Sequence, residues 1–266
     1  MADSSNTQQQ KLSALSGQMI YVSDTHIQTM TDNRGQLLLD LIARIDAEKT
    51  KYFVLNGDIF DFCFGATDYF RQKFGLLGDA LSELASKGVQ VIYVEGNHEF
   101  QLDQIGWKNV KIIKDEELVL EVGNGVTIKV AHGDLIMKDR LYFAYRGLVK
   151  SQLFSFLAQL FPSKWVDAIS LKYASESRKR DEYRHLNHEP LLNAANEWVG
   201  SHTHGVFGHF HTPYAERKSD NSGLLVCVDS WYNPNSLVFE NGEFKRVLLS
   251  QVGEEFKFTP LKSLLD

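Results

Sequence analysis

Five short apolar runs in this chain each stop at a polar cluster that carries a residue able to hold a hard metal ion. Met19-Ile20-Tyr21-Val22 precedes Asp24 and His26, Tyr52-Phe53-Val54-Leu55 precedes Asp58, and Val89 to Val94 precedes Asn97 and His98. A run over 126–131 leads into His132, and Val206-Phe207 leads into His209 and His211. Runs of this length, rich in β-branched and aromatic residues and bounded by Gly, Asn and Asp, read as buried strands. Between them, Leu37, Leu38, Leu41, Ile42 and Ile45 recur at helical spacing within about 36–47. A second helix is expected over about 69–86, closed by Lys87-Gly88, a basic last turn followed by a C′ glycine. Strands alternating with helices predict βαβ units and a largely parallel central sheet. In such sheets the loops beyond the carboxyl ends of the strands converge. The five clusters can therefore meet although about 190 residues of chain separate the first from the last.

Past Ile105 the texture changes. Residues 110–113, 118–122 and 126–131 read as short strands, with Gly123-Asn124-Gly125 as a hairpin turn. The segment 139–200 is helical, aromatic and locally basic, and strands return at 224–228, 236–239 and 244–250, with Asn241-Gly242 turning the last pair. The expected class is α/β: two sheets flanked by helices, in a domain over 18–266 with a helical insertion at about 139–200. Residues 1–17 are expected to be a disordered arm.

Composition narrows the function. A net charge of −6 over 266 residues argues against nucleic acid as a partner. The two cysteines, Cys63 and Cys227, sit in apolar stretches, which fits buried thiols in a reducing compartment better than a disulfide framework. The opening MADSSNTQQQ lacks the pattern of a secretory signal, and no apolar run is long enough to span a bilayer. A soluble cytoplasmic enzyme is the expectation.

Carboxylate, imidazole and amide oxygen without thiolate suit Mn²⁺, Fe or Zn²⁺ better than an iron–sulfur or structural zinc site. Asp24, Asp58, Asn97, His26, His132, His209 and His211 are too many ligands for one four-coordinate ion. If Asp58 bridges, they divide into two sets of four. Two divalent ions roughly 3.5–4 Å apart acidify water and clamp a phosphoryl group for in-line displacement. His26 and His211 each form an i, i+2 pair, with Asp24 and His209 respectively, and extended backbone would turn both members of a pair to one side.

Asp24-Thr25-His26, Gly57-Asp58-Ile59-Phe60-Asp61, Gly96-Asn97-His98-Glu99, His132-Gly133-Asp134 and Gly208-His209-Phe210-His211 resemble, in order and spacing, the signature of the calcineurin-like metallophosphoesterases. The resemblance spans about residues 18–240 and implies a four-layer α/β/β/α sandwich of two mixed sheets with a helical lid. It implies a first metal on Asp24, His26, Asp58 and His211, and a second on Asp58, Asn97, His132 and His209. Both ions would be divalent, manganese foremost and iron or zinc also fitting. Asp58, Asn97 and His98 would be the catalytic residues. His98 would lie just outside the metals, contacting phosphate or protonating the leaving oxygen. Glu99 would orient His98, with Asp61 and Asp134 bracing ligands.

Within that superfamily the chain is similar to the subgroup of the lipid A enzyme UDP-2,3-diacylglucosamine pyrophosphohydrolase. The similarity lies in a helical insert directly after His132-Gly133-Asp134, the Asp139…Tyr142…Arg146 pattern that opens it, and Asp229-Ser230-Trp231 after the last histidine pair. It implies hydrolysis at the α-phosphorus to UMP and an acylated sugar 1-phosphate, at the cytoplasmic face of the inner membrane. An arginine commonly stands in that subgroup where this chain has His98, whereas histidine is typical of general metallophosphoesterases. The alternatives are therefore a general phosphodiesterase or phosphomonoesterase, for instance of nucleotides, and a non-catalytic scaffold of the same fold.

The insert carries an apolar stripe of Leu141, Tyr145, Leu148, Val149, Leu153, Phe156, Leu157 and Leu160, broadened by Phe154, Phe161 and Trp165. Its basic residues are Lys150, Lys164, Lys172, Arg178, Lys179, Arg180 and Arg184. The stripe reads as core packing, or else as an acyl-chain pocket with Phe154 and Phe156, a dimer interface or a docking face for an anionic membrane. Arg178 and Lys179 are the candidates for phosphate or nucleotide contact. His185 and His188 read as solvated lid residues, and His202 and His204 as loop histidines.

Overall fold

The computed structural model describes residues 10–13, 17–114, 117–138, 140–151, 156, 160–168, 172, 188–212, 214–252 and 255–260. Strands β1 (Gln10–Ser13), β2 (Gln18–Val22), β3 (Thr50–Leu55), β4 (Cys63–Phe64), β5 (Gln90–Val94), β6 (Glu99–Phe100) and β7 (Val110–Ile113) make up the first half. With them run helices α1 (Asn33–Ala43), α2 (Asp68–Lys73) and α3 (Gly75–Ser86). The hairpin β8 (Leu118–Gly123) and β9 (Val126–Val130) leads into helices α4 (Arg140–Val149) and α5 (His188–Val199). Strands β10 (His204–Phe207), β11 (Tyr214–Arg217), β12 (Leu224–Cys227), β13 (Asn235–Glu240), β14 (Glu243–Val252) and β15 (Glu255–Pro260) complete the described chain.

Two mixed sheets result. One has the order β15-β14-β13-β2-β3-β5-β7, with β2, β3, β5 and β7 parallel. The other runs β1-β8-β9-β10-β12-β11, with β9, β10 and β12 parallel. Strand periodicity explains the layering, because alternate residues of β2, β3 and β5 enter different cores. Tyr21, Val54 and Ile92 join Leu120, Val130 and Val206 of the facing sheet in a buried layer between the sheets. Ile20, Phe53 and Val91 point the other way and pack on Leu38 and Leu41 of α1 and on Leu77 and Leu81 of α3. Outside the second sheet, Leu191, Ala195 and Val199 of α5 pack against Phe207, Leu225 and Cys227. The four layers α/β/β/α match the expected class.

Several expectations change in detail. Gln10–Ser13 pairs in parallel with Leu118–Glu121, so part of the segment read as a disordered arm forms a strand. The helix expected over 69–86 breaks at Phe74, whose φ of −112° and ψ of 15° leave the helical well. Its ring is buried and stacks 3.8 Å from that of Phe60. His204 is a strand residue and not a loop histidine: its ring meets Phe239 and Phe244, and its Nδ1 accepts from Leu224 N at 3.1 Å.

The insert departs most. Leu141, Tyr145 and Leu148 of α4 are 83%, 63% and 63% exposed, so the part of the stripe on α4 does not enter the protein core. The inward face of α4 is polar instead. Lys150, one of the insert's basic residues, has its side chain buried against Glu95, Nζ to Oε1 at 2.8 Å. Helix α5 is the cover of the second sheet and no part of the exposed face. Leu153, Phe154, Leu157, Arg178, Lys179, Arg180, Arg184 and His185 lie outside the described residues.

Burial predicts opposite outcomes for two leucines. Leu81→Ala on α3, where the side chain is fully buried, should cost about 2–5 kcal/mol in urea unfolding. Leu148→Ala on α4 should stay within about 0.5 kcal/mol of the parent, and an equal loss at both would refute the orientation of α4.

Candidate metal centre

Every strand that feeds the site ends at the same edge of the two stacked sheets. β2 delivers Asp24 and His26, β3 delivers Asp58, and β5 delivers Asn97 and His98. From the second sheet, β9 delivers His132, and β10 delivers His209 and His211. Backbone bonds lock the loops together: Asp24 N donates to Gly57 O at 3.1 Å, His26 N to Asp58 O at 3.1 Å, and Gly208 N to His132 O at 2.7 Å. Carboxylates add cross-ties, with His98 N on Asp58 Oδ1 at 2.9 Å and His209 N on Asp24 Oδ2 at 3.0 Å.

The backbone at the ligands is left-handed. Asp24, His26, Asp58, His209 and His211 have φ of 52°, 50°, 51°, 69° and 52°, a region that non-glycine residues seldom occupy and that gathers at functional sites. The pairs Asp24/His26 and His209/His211 therefore reach one side through kinks, and not through the extended backbone expected of them. The motif glycines make room. A Cβ on Gly208 would collide with Ser23 Oγ and Asp24 Oδ2, and one on Gly57, at φ 82°, with His132 Nδ1.

Three ligand groups assemble: Asp24, His26 and His211; His26, Asp58 and His98; and Asp58, His132 and His209, each with ligand atoms within 4.8 Å of one another. Asp58 occurs in two of them. His26 Nε2 and His211 Nε2 face each other at 3.1 Å, and His211 Nε2 lies 3.2 Å from Asp24 Oδ1. His132 Nε2 is 3.1 Å from Asn97 Oδ1 and 3.4 Å from Asp58 Oδ2. The far ring nitrogens fix the tautomers. His132 Nδ1 donates to Asn56 O at 3.0 Å and His98 Nδ1 to Asp61 O at 2.7 Å, which leaves each Nε2 aimed inward.

Divalent cations fit this donor set. Asp24 Oδ1 is buried with His211 Nε2 at 3.2 Å but outside hydrogen-bond geometry, and two facing imidazole nitrogens want a cation between them. Protons hold part of that role in the protein alone. Burial disfavours a charged His132, but the nearby Asp58 and Asp24 carboxylates overcome it and keep its pKa well above the ordinary imidazole range. Burial and then the His132 charge push His209 down to about 4. His26 is lowered as well, chiefly by burial. Burial would raise the Asp24 and Asp58 carboxyls, yet His211 beside the first and His132 beside the second bring both below the usual range.

The bracing residues divide differently from expectation. Glu99 does not touch the His98 ring. Its carboxylate accepts from Asp58 N at 3.0 Å, Phe60 N at 3.2 Å, Gly96 N at 2.7 Å and the Tyr93 hydroxyl at 3.0 Å. It thus fastens the loop of Asp58 to that of Asn97, since four donors converging on one carboxylate leave no lone pair for the imidazole. Asp61 Oδ1 lies 3.5 Å from His26 Nδ1. Asp134 accepts from Tyr142 Oη at 2.9 Å and Arg146 Nε at 2.7 Å, and so ties α4 to the loop of His132. Phe156 lies on the insert, 60% exposed.

Sequence reasoning missed a cleft of about 520 Å³ beside the first ligand group, lined by His26, Gln28, Asp32, Asn33, Arg34, Asp61 and Tyr232. Arg34 donates to Thr25 O at 3.0 Å and stands 5.9 Å from the Tyr232 ring centroid. Arg34 and Tyr232 are about 200 residues apart in the chain, with no pattern to link them. Among the described residues no helix is long and apolar enough to cross a membrane.

The proton on His132 must leave before an ion can bind its Nε2. Because that pKa is raised, the proton stays bound through the neutral range and competes more strongly as pH falls. Metal affinity at this position should therefore rise about tenfold per pH unit between pH 6 and 8, with about one proton released per ion. Calorimetric titration in two buffers of different ionisation enthalpy measures both, and an affinity independent of pH would contradict the charge arrangement.

Residues 19–213 match the family profile described as calcineurin-like phosphoesterase. The UDP-2,3-diacylglucosamine hydrolase of Neisseria gonorrhoeae is 22% identical over 219 residues, covering 80% of this chain and 89% of that protein. The enzyme of the same name from Aliivibrio fischeri is 22% identical over 248 residues, covering 90% of this chain and 99% of that one. Among solved structures, Vps29 of Entamoeba histolytica with zinc aligns over 92% of this chain and 98% of its own at a TM-score of 0.42 and 12% identity. With the profile spanning most of its length and the signature residues drawn together, this chain belongs to the calcineurin-like phosphoesterases and is a metallophosphoesterase.

Proposed function

We propose that this phosphoesterase is a dinuclear hydrolase of a phosphoric anhydride, and that its substrate is a UDP-linked diacylated glucosamine split into UMP and an acylated sugar 1-phosphate. Asp24, His26, Asp58 and His211 would hold one divalent ion, and Asp58, Asn97, His132 and His209 the other, with manganese proposed and iron or zinc also suited. When bound, the pair supplies an acidified water and positive charge against the phosphoryl oxygens.

The remaining steps fall to the chain. With Nδ1–H held by Asp61 O, His98 presents Nε2 3.8 Å from Asp58 Oδ2, where the doubly protonated ring can donate to a phosphoryl oxygen or give its Nε2 proton to the leaving oxygen. The cleft walled by Arg34 and Tyr232 offers a cation and an aromatic face to a nucleotide beside the site. Buried Asp58 and Glu99 tie the ligand loops to each other through backbone hydrogen bonds.

The observation that carries the substrate reading is the set of exposed apolar side chains along the insert. Leu141, Tyr145, Leu148, Phe156, Leu160, Phe161 and Trp165 are all more than half exposed, on a segment whose inner face is bonded to the metal-ligand loops. So much exposed apolar side chain on one segment marks a binding surface, and acyl chains suit it. Exposed Lys164 and Lys172 would favour a peripheral seat on the anionic inner face of the cytoplasmic membrane. The names of the relatives agree with this substrate. A second reading, a general phosphodiesterase, is favoured by His98, whose imidazole suits protonation of an ester leaving group.

Two outcomes follow. Asp58→Ala should abolish binding of both ions and lower kcat by at least a thousandfold, whereas activity within tenfold of the parent, about 1.4 kcal/mol of barrier, would exclude a bridging role. Leu148→Ser with Phe156→Ser should cut turnover of the acylated UDP-sugar at least tenfold while sparing bis-p-nitrophenyl phosphate. Equal turnover of the lipid by parent and double variant, or no UMP from the parent, would transfer the assignment to the second reading.

A further inference from the structure

Helix α4 turns its polar face inward. Tyr142, Arg146 and Lys150 are spaced i, i+4, i+8, one stripe of a helix, and each is bonded to the body of the protein. The first two meet Asp134, two residues past His132. Lys150 Nζ donates to Glu95 Oε1 at 2.8 Å and to Gly96 O at 2.7 Å, on the loop that presents Asn97 and His98. The Lys150 side chain is 6% exposed and that of Glu95 is fully buried. The second Glu95 oxygen accepts from Leu102 N at 2.9 Å.

Burying an ammonium is costly unless it is paired and hydrogen-bonded, and an apolar side chain would dock α4 with less penalty. What an ammonium adds is direction. It fixes the carbonyl of Gly96, and with it the peptide plane that leads into Asn97. It also anchors Glu95 at the start of a loop whose hydrogen bonds include those from Gly96 N to Glu99, from His98 N to Asp58 and from Cys63 N to His98 O. Asn97 Oδ1 and His132 Nε2 stand 3.1 Å apart, a distance that a small rotation of that peptide would change.

We propose that Lys150 is a positioning residue for the hydrolysis: through Glu95 and Gly96 it makes the geometry of the Asn97–His98 loop depend on the docking of the insert. This rests on Asn97 belonging to the second metal position. Its consequence is that a small ester, which never touches the apolar face, still depends on the insert. Whatever holds the insert in place also holds the ligand loop.

The test compares Lys150→Met, Lys150→Gln and Lys150→Arg in the full chain. With bis-p-nitrophenyl phosphate, Lys150→Met should lose at least tenfold in kcat with KM within twofold, and manganese titration should show at least tenfold weaker binding of the second ion. In metal-free protein the amides of Gly96, His98 and Leu102 should exchange hydrogen at least tenfold faster, and Lys150→Arg should bring every readout within threefold of the parent. Lys150→Gln keeps a donor for Gly96 O and should fall between; it decides the matter if the methionine variant fails to fold. Parent-like kcat and parent-like exchange in Lys150→Met, or in Lys150→Gln if that is the variant that folds, overturn the proposal. A parent that binds a single ion sinks the dinuclear reading alone, because exchange in metal-free protein still judges Lys150.

Discussion

Two carboxylates and four imidazoles crowd into a few ångströms of buried space, and the attraction that lets them stay together is theirs for a cation. Asp24 and Asp58 are essentially unexposed, where two negative charges would repel strongly with little water to screen them. Without an ion, the protein offsets them with a proton on His132. Gathering so many donors around one cation-sized space accounts for the tight turns, the left-handed ligand backbones and the glycines beside them. Each device brings a donor closer to the common centre than an ordinary strand end would allow, and the sheet-to-sheet packing behind them absorbs the strain.

Much of this was legible in the residues. Strand runs that end in Asp, Asn or His, with glycine beside them, indicated both the parallel sheets and the edge at which the ligands gather. The motif glycines at 57 and 208 could be noticed but not explained, because their reason is a collision with His132 and with Ser23 and Asp24 across the fold. The role of Glu99 was misread for a similar reason. Its neighbour in sequence is His98, but four donors from three other places in the chain claim its oxygens.

The insert was the hardest part to read. An apolar stripe on a helix normally points inward, because burial of apolar surface drives most helix packing. On α4 that rule is reversed, and Tyr142, Arg146 and Lys150 do the docking through Asp134, Glu95 and Gly96. Elsewhere on the insert, Asp167 joins the half-buried Lys73 ammonium at 2.7 Å and the Tyr69 hydroxyl at 2.8 Å, so a second piece of the insert is also held by polar contacts. Such contacts are specific in direction and leave the apolar surface free for a ligand. Strand β11 escaped notice because Tyr214-Ala215-Glu216-Arg217 is an edge strand whose last two residues are exposed, with no apolar run to announce it.

A carboxylate shared by two cation positions is the centre of the proposed site. Crystals grown with manganese and measured at an anomalous wavelength address it directly. Two anomalous peaks are expected roughly 3.5–4 Å apart, with Asp58 bonded to both, Asp24, His26 and His211 around one, and Asn97, His132 and His209 around the other. A single peak away from Asp58, or no peak at saturating manganese, would contradict that arrangement.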